Sequence, residues 1–358
     1  MKALILKRYG KSDQIDFADI PRPTIKENEL LVQVHAAGLN PIDYMIPKGT
    51  FKPILRYQLP ITVGSDLAGL VIEVGSRVTR FKPGDAIFAS VFDLPHGALA
   101  EFAVVPESAA AMKPASLDFV QAASIPMVGL TSWQALKEKA HLRAGQKVFI
   151  PAGSGGIGTF AIQLAKYLGA TVATTTSTRN VGLVSRLGAD EIIDYKSQEF
   201  EEILQGYDVV LGTVRGDGIE KSLRILKPNS QVISLIGPLD VAFARARGMN
   251  FFMRFVFGLI SRKIMRQAKK HSIDYSFLFV QPNGQQLTAI GALIDAGLVD
   301  ELLFYMAPCL LGDDARGAFD CAPLASLNDK VSLSLRDVRM IGGDLRLLAR
   351  IVHRQATA

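Results

Sequence analysis

Residues 148–169 read Val-Phe-Ile-Pro-Ala-Gly-Ser-Gly-Gly-Ile-Gly and then Thr-Phe-Ala-Ile-Gln-Leu-Ala-Lys-Tyr-Leu-Gly, which is a buried strand, a glycine turn and an amphipathic helix. Gly153, Gly155 and Gly158 have the spacing G-x-G-x-x-G, with Gly156 and Ile157 completing the turn. In such a turn the first glycine permits the tight bend. The second lets backbone approach a pyrophosphate, and the third lets helix pack close to strand. The helix N-terminus then presents free N–H groups and a positive dipole end to phosphate. An ordinary glycine-rich strand–helix turn is the competing reading. The strand before it, the helix after it and a second strand at Thr171–Thr176 favour dinucleotide binding.

The end of that second strand carries the choice of cofactor. NAD sites usually place an Asp or Glu about 20 residues beyond the first glycine, to hold the ribose 2′-hydroxyl. Here the residues are Thr174-Thr-Thr-Ser-Thr-Arg-Asn180, with no carboxylate to repel a 2′-phosphate. Ser177 can donate to such a phosphate, and the Arg179 guanidinium can pair with it. A solvated arginine at a helix start is the alternative for Arg179. NADPH is the expected cofactor.

A chain of 358 residues exceeds a comfortable single core, so two domains are expected. Residues 1–110 carry short β-rich runs at Ala3–Lys7, Glu29–Ala36, Gly69–Val74, Ala86–Ser90 and Glu101–Val105, punctuated by Gly and Pro. Asp118–Lys139 reads as helical. From Lys147 strands and helices alternate, with strands at Val148–Pro151, Thr171–Thr176, Glu191–Asp194, Asp208–Leu211 and Gln231–Ile236. The expected class is α/β: a β-rich domain at 1–123, a doubly wound parallel-sheet domain at 124–272, and a return to the first domain at 273–358.

The formal charge of +6 suits an anionic cofactor, and no nucleic-acid-binding motif accompanies it. Cys309 and Cys321 cannot build a disulfide framework, so a reducing, cytoplasmic compartment is expected. The N-terminal segment lacks a signal-peptide hydrophobic region, and no apolar run reaches the ~18 residues of a membrane span.

Several further segments occur together: Ala37-Gly-Leu-Asn-Pro-Ile-Asp43, Val63-Gly-Ser-Asp-Leu-Ala-Gly69, Phe81-Lys-Pro-Gly-Asp85, Gly97-Ala-Leu-Ala-Glu-Phe102, Gly129-Leu-Thr-Ser-Trp133 and Leu187-Gly-Ala-Asp190. With the glycine loop they resemble the zinc-free quinone oxidoreductase branch of the medium-chain dehydrogenase/reductase superfamily, over residues 1 to about 300. The resemblance implies a GroES-like catalytic domain, a Rossmann domain, and hydride transfer from NADPH to a small-molecule quinone or α,β-unsaturated carbonyl. It also implies a homodimer. Asn40 resembles the family's asparagine near the nicotinamide, and Thr131 its threonine on the nicotinamide side. Tyr195 resembles the tyrosine that helps hold the adenosine phosphate. Ile236-Gly237 and Phe277-Leu-Phe279 resemble the segments passing beside the nicotinamide; strand core is the alternative for the two phenylalanines. Zinc-dependent relatives carry a catalytic cysteine where this chain has Asn40, and a His-Glu pair where it has Ser65-Asp66. No metal is expected, and the substrate must then be intrinsically electrophilic. Tyr44 is the candidate proton donor, with a surface tyrosine and solvent as the alternatives. A catalytically weak NADPH-binding or sensing protein is the second functional reading.

Two segments stand apart. Phe251–Lys270 is basic and amphipathic, with Arg254, Arg262, Arg266 and Lys270 on one helical stripe and Phe252, Phe255, Val256, Leu259 and Ile260 on another. It reads either as a helix packed over the Rossmann domain or as an interfacial helix in peripheral contact with anionic lipid. From about Ala292 to 352 the chain resembles the end of the reductase domain of bifunctional riboflavin-biosynthesis proteins. Annotating by that tail alone would suggest a riboflavin-pathway reductase, but that enzyme's cofactor loop is missing here. A chimera is the reading of the tail. Asp313–Asp320 is expected to form a short helix, and Lys330–Leu335 a strand that joins the first domain's sheet.

Overall fold

The computed structural model describes residues 1–10, 15–55, 57–299, 333–341 and 344–351. The chain divides into two compact units, the first built mainly from Met1–Met127 and the second mainly from Val128–Gln281.

The first unit is antiparallel. Strands β1 (Lys2–Leu6), β2 (Ile15–Asp19) and β4 (Ile61–Thr62) form a three-stranded sheet in the order β2-β1-β4. Strands β3 (Glu29–Gly38), β5 (Asp66–Val74), β6 (Ala86–Ser90), β7 (Phe102–Pro106) and β8 (Ala110–Met112) form a second sheet in the order β7-β3-β5-β6-β8. The inward side chains alternate along each strand: Leu30 and Val32, Leu67 and Val71, Ile87 and Ala89, Ala103 and Val105 all lie in one buried cluster. Their neighbours Leu31, Ala68, Phe88 and Val104, which point to the other face, are buried as well, so the middle of this sheet is covered on both faces. A short helix α1 (Pro41–Met45) leaves β3, with Pro41 at its first turn.

Helical periodicity from Asp118 to Lys139 is realised in three pieces: α2 (Phe119–Ala123), α3 (Pro126–Trp133) and a π-helical stretch at Gln134–Lys139. Pro126 explains the first break, because proline cannot supply the N–H that a continuous helix needs there.

The second unit holds six parallel strands: β9 (Lys147–Ile150), β10 (Thr171–Thr176), β11 (Glu191–Asp194), β12 (Tyr207–Gly212), β13 (Leu226–Ser234) and β14 (Asp274–Phe277). Their order is β11-β10-β9-β12-β13-β14. Counted from β9 this is 3-2-1-4-5-6, the order of doubly wound dinucleotide-binding sheets. Val148, Phe149 and Ile150 are all buried, as expected of a strand covered on both faces. Helices α4 (Gly156–Tyr167), α5 (Val181–Arg186), α6 (Phe200–Ile203), α7 (Gly218–Ile225), α8 (Val241–Ala246) and α9 (Phe251–Lys270) lie between the strands in sequence, and α10 (Gly284–Asp295) follows. Among the described residues, no helix is long and apolar enough to cross a membrane.

The tail departs from expectation. Strands β15 (Leu333–Ile341) and β16 (Asp344–Ile351) pair antiparallel with each other, from Leu333 opposite Ile351 to Ile341 opposite Asp344. Among the described residues they join no other sheet, so Leu333–Leu335 do not extend the first unit's sheet. Pairing with a strand that follows within a few residues costs far less chain entropy than a return to distant strands. The expected helix at Asp313–Asp320 and both cysteines lie outside the described residues.

Candidate cofactor site and buried acid cluster

The parallel sheet reverses its winding between β9 and β12, and the glycine turn leaves the carboxyl end of β9 there. Such a switch point opens a crevice for ligand. The turn is pinned to β10: the Gly153 N–H donates to Thr175 O at 2.9 Å. The Ala152 N–H donates to Thr175 Oγ1 at 3.0 Å.

The glycines separate into two kinds. A Cβ on Gly153 would fall 2.0 Å from Thr174 Oγ1, and one on Gly158 would fall 2.5 Å from Ala152 O. Those two are demanded by packing. A Cβ on Gly155 would meet only Ala152 O at 3.2 Å, and one on Gly156 only Val128 Cγ1 at 3.4 Å. Neither has a positive φ. Apart from that one slightly tight contact, the space a side chain would take at Gly155 is left open at the start of α4, whose N-cap, Gly155, supplies no side-chain acceptor. A phosphate fits that cradle.

Beyond β10, Ser177 is buried just before a single 3₁₀ turn, Thr178–Asn180, on which Arg179 is exposed. Ser154, which sequence reasoning passed over, ties this region to the glycine turn. Its Oγ lies 3.0 Å from Thr176 Oγ1 and 3.1 Å from Asn180 Nδ2. Asp194, at the end of β11, also escaped the sequence reading, and Thr178 Oγ1 donates to its carboxylate. That bond and the Lys196 N–H hold the acid below the usual carboxylate range. Tyr195 follows β11, 59% exposed, with its N–H on Thr176 O at 3.2 Å.

Ile236 and Gly237 follow β13 and line a pocket of about 270 Å³ with Arg215, Glu220, Ile260 and Lys263. Phe277 ends β14 in the core, its ring 5.2 Å from Phe243, and Phe279 lies 5.7 Å from the same ring. For Phe277 the structure shows the strand-core role; Phe279 remains half-buried. Thr131 is buried on α3.

Asn40 and Tyr44 belong to the first unit. Asn40 precedes α1 and sits in a cluster of buried polar groups. Its Nδ2 donates to Asp66 Oδ2 at 2.9 Å, and the Met127 N–H donates to the same oxygen at 2.8 Å. Its backbone N–H donates to Asp43 Oδ2 at 2.8 Å, while Ser65 Oγ donates to Asp43 Oδ1. Burial pushes the Asp43 carboxyl up to about 6, against the hydrogen bonds from Ser65 and Asn40. Burial pushes Asp66 up to about 7; the bonds from Asn40 and Met127 oppose it, and the Asp43 charge adds to it. Asp43, Tyr57, Ser65 and His96 line a space of about 20 Å³, room for one water and too small for a substrate. Tyr44 faces solvent, 67% exposed, and its hydroxyl accepts from Lys48 Nζ. Among the described residues, no three His, Cys, Asp or Glu side chains gather as a metal site.

The two halves match two known families. Residues 26–115 match the alcohol dehydrogenase GroES-like domain, and 187–302 the zinc-binding dehydrogenase family. Residues 284–347 match the RibD C-terminal domain, overlapping the second match at 284–302. The zebrafish mitochondrial NAD(P)H oxidoreductase RTN4IP1 is 34% identical over 322 residues, 84% of this chain and 83% of that protein. The chloroplastic NADPH-dependent alkenal/one oxidoreductase of Arabidopsis thaliana is 37% identical over 246 residues, 66% of this chain and 63% of that protein. The structure of the quinone oxidoreductase from Coxiella burnetii superposes with a TM-score of 0.71 at 33% identity, covering 84% of this chain and 89% of that one. The chain belongs to the medium-chain dehydrogenase/reductase superfamily, in its quinone oxidoreductase-like family of enzymes.

Proposed function

We propose that the chain is an NADPH-dependent oxidoreductase that reduces quinones or α,β-unsaturated carbonyls without zinc. The observation that carries this reading is the open cradle at Gly155, placed where the sheet reverses its strand order. In this reading the first-turn N–H groups of Gly156, Ile157 and Gly158 hold the pyrophosphate. Ser177 and Arg179 hold the 2′-phosphate, and Tyr195 flanks the adenosine end. Bound NADPH supplies a hydride. Asn40 is oriented by Asp66, whose carboxylate accepts from its side-chain amide. The hydrogen bonding argues against zinc: Asn40 and Ser65 are poor ligands, and the carboxylates beside them, Asp43 and Asp66, each already accept two hydrogen bonds. Tyr44, open to water and hydrogen-bonded to Lys48, is the proposed donor of the proton that completes the reduction. The names of the zebrafish, Arabidopsis and Coxiella relatives support the cofactor and the acceptor class.

The test is NADPH oxidation by the purified chain over a panel of benzoquinones, enones and alkenals, with elemental analysis of the same sample. Turnover with such acceptors and no stoichiometric zinc is expected. NADPH binding without turnover on any acceptor would favour a sensing protein instead, and one tightly held zinc per chain would overturn the metal-free mechanism.

A further inference from the structure

Helix α9 buries Phe257, Ser261, Ile264 and Ala268, at spacings of four, three and four residues, so one face is committed to the second unit. The opposite face is divided along its length. Phe251 is 82% exposed, Phe252 69%, Phe255 56% and Leu259 51%, all in the N-terminal half. Arg262, Arg266, Lys269 and Lys270 continue the same outward face in the C-terminal half, where all four are exposed. The apolar and basic groups are therefore not two stripes side by side, as the sequence suggested, but two ends of one face.

The charge of this region is one-sided. From Val241 to Ile273 no Asp or Glu occurs, while Arg245, Arg247, Arg254, Arg262, Lys263, Arg266, Lys269 and Lys270 all do. One acid comes from a neighbouring element, Glu220 of α7, which pairs with Lys263 at 3.3 Å. Arg245 on α8 stands exposed beside α9, where Phe243 packs 6.2 Å from Phe257. A symmetric contact between two copies through this face would bring like charges together. An apolar end bordered by exposed cations fits a surface with phosphates above hydrocarbon.

We propose that the outward face of α9 docks on an anionic lipid bilayer. Phe251, Phe252, Phe255 and Leu259 enter at the acyl boundary, and Arg262, Arg266, Lys269 and Lys270 lie against the headgroup phosphates. The helix meets the surface tilted, N-terminal end deeper, because its apolar and basic residues are separated along the axis. Docking does not require α9 to leave the protein, since the face it uses is not the face it buries.

The test is flotation of the full chain with phosphatidylcholine vesicles and with the same vesicles doped with phosphatidylglycerol. Binding to the doped vesicles, weakened by added salt, is expected. Arg262→Ala with Arg266→Ala should weaken it about 30-fold, the change that two basic residues near an anionic surface produce. Phe251→Ser with Phe252→Ser should weaken it as well, at unchanged melting temperature. In Phe252→Trp, tryptophan emission should shift to the blue on binding, and in Lys270→Trp it should shift less. Equal binding to neutral vesicles, no binding to either, or a Phe251→Ser/Phe252→Ser variant that binds as well as the parent would overturn the proposal. So would a concentration-dependent dimer in ultracentrifugation that this variant abolishes, since the face would then belong to a second copy.

Discussion

The glycine turn at 153–158 and the acid cluster around Asn40 are both polar sites in apolar units, and they are built in opposite ways. The turn is contiguous, and its ligand groups are backbone N–H donors. The cluster draws Asn40, Asp43, Ser65, Asp66 and Met127 from three elements and the turns that lead into them, and its working groups are side chains with shifted protonation. A backbone site tolerates little at the one position where space is reserved. A side-chain site depends on every member being satisfied.

The largest break should come at the turn. Gly155→Val is expected to abolish NADPH binding while circular dichroism and melting stay near those of the parent, because the added side chain fills the cradle and touches little protein. Gly158→Val should instead lower stability, since its Cβ would lie 2.5 Å from Ala152 O and 2.6 Å from Gly153 Cα. If the two variants behave alike, the division between ligand glycine and packing glycine is wrong.

In the acid cluster, Asp66→Ala leaves two donors, Asn40 Nδ2 and the Met127 N–H, without their acceptor. A loss of about 2 kcal/mol or more in chemical denaturation is expected. The raised carboxyls also set a pH dependence. Asp43 and Asp66 keep protons in the folded chain up to about 6 and about 7, whereas in the unfolded chain they release them near the usual 3.8. Their stabilising contribution is complete below that lower value and is lost as pH rises through the folded values, so unfolding free energy should fall between about pH 4 and about pH 7. Asp66→Asn, neutral throughout, should flatten that slope. An unchanged slope would mean that Asp66 is ionised in the folded state.

Arg179→Ala should weaken NADPH by roughly ten-fold or more and leave NADH nearly unchanged, because a charge-assisted hydrogen bond to the 2′-phosphate contributes about 1.5–3 kcal/mol. Equal losses for both nucleotides would remove Arg179 from the phosphate site. The smallest effect is expected at Tyr44→Phe. A well-placed general acid contributes about 10²–10⁴-fold, but Tyr44 is open to water that can take its place, so kcat should fall by less than about ten-fold. A larger fall would show that Tyr44 is closed off from solvent during turnover.

Much of the scaffold was legible because its signals are local. The strand boundaries at Ala86–Ser90, Thr171–Thr176 and Glu191–Asp194 agree residue for residue with the observed strands, where a period of two or a continuous β-branched run is bounded by glycine. Boundaries drifted where tertiary pairing decides: β13 begins at Leu226 rather than Gln231, with a register irregularity against β12 between those two residues. The tail's pairing is not legible in the sequence, because the alternation of Val331, Leu333 and Leu335 marks a strand without naming its partner. Residues singled out for cofactor contact gather at the carboxyl edge of the parallel sheet where they follow β9, β10, β11 and β13. Ser154 and Asn180 join them with no motif to announce them.

By itself the sequence determined the class of fold, the glycine turn and the absence of an acid among residues 174–180, since each depends on neighbours in the chain and on a fixed backbone period. Tertiary structure alone decided three things. It separated the glycine that packing needs from the one left open. It closed Asp66 over Asn40 and Met127. It turned the apolar and basic residues of α9 onto one outward face. The acid cluster rests on distances between atoms far apart in the chain, and desolvation there, rather than residue type, sets what a carboxyl does.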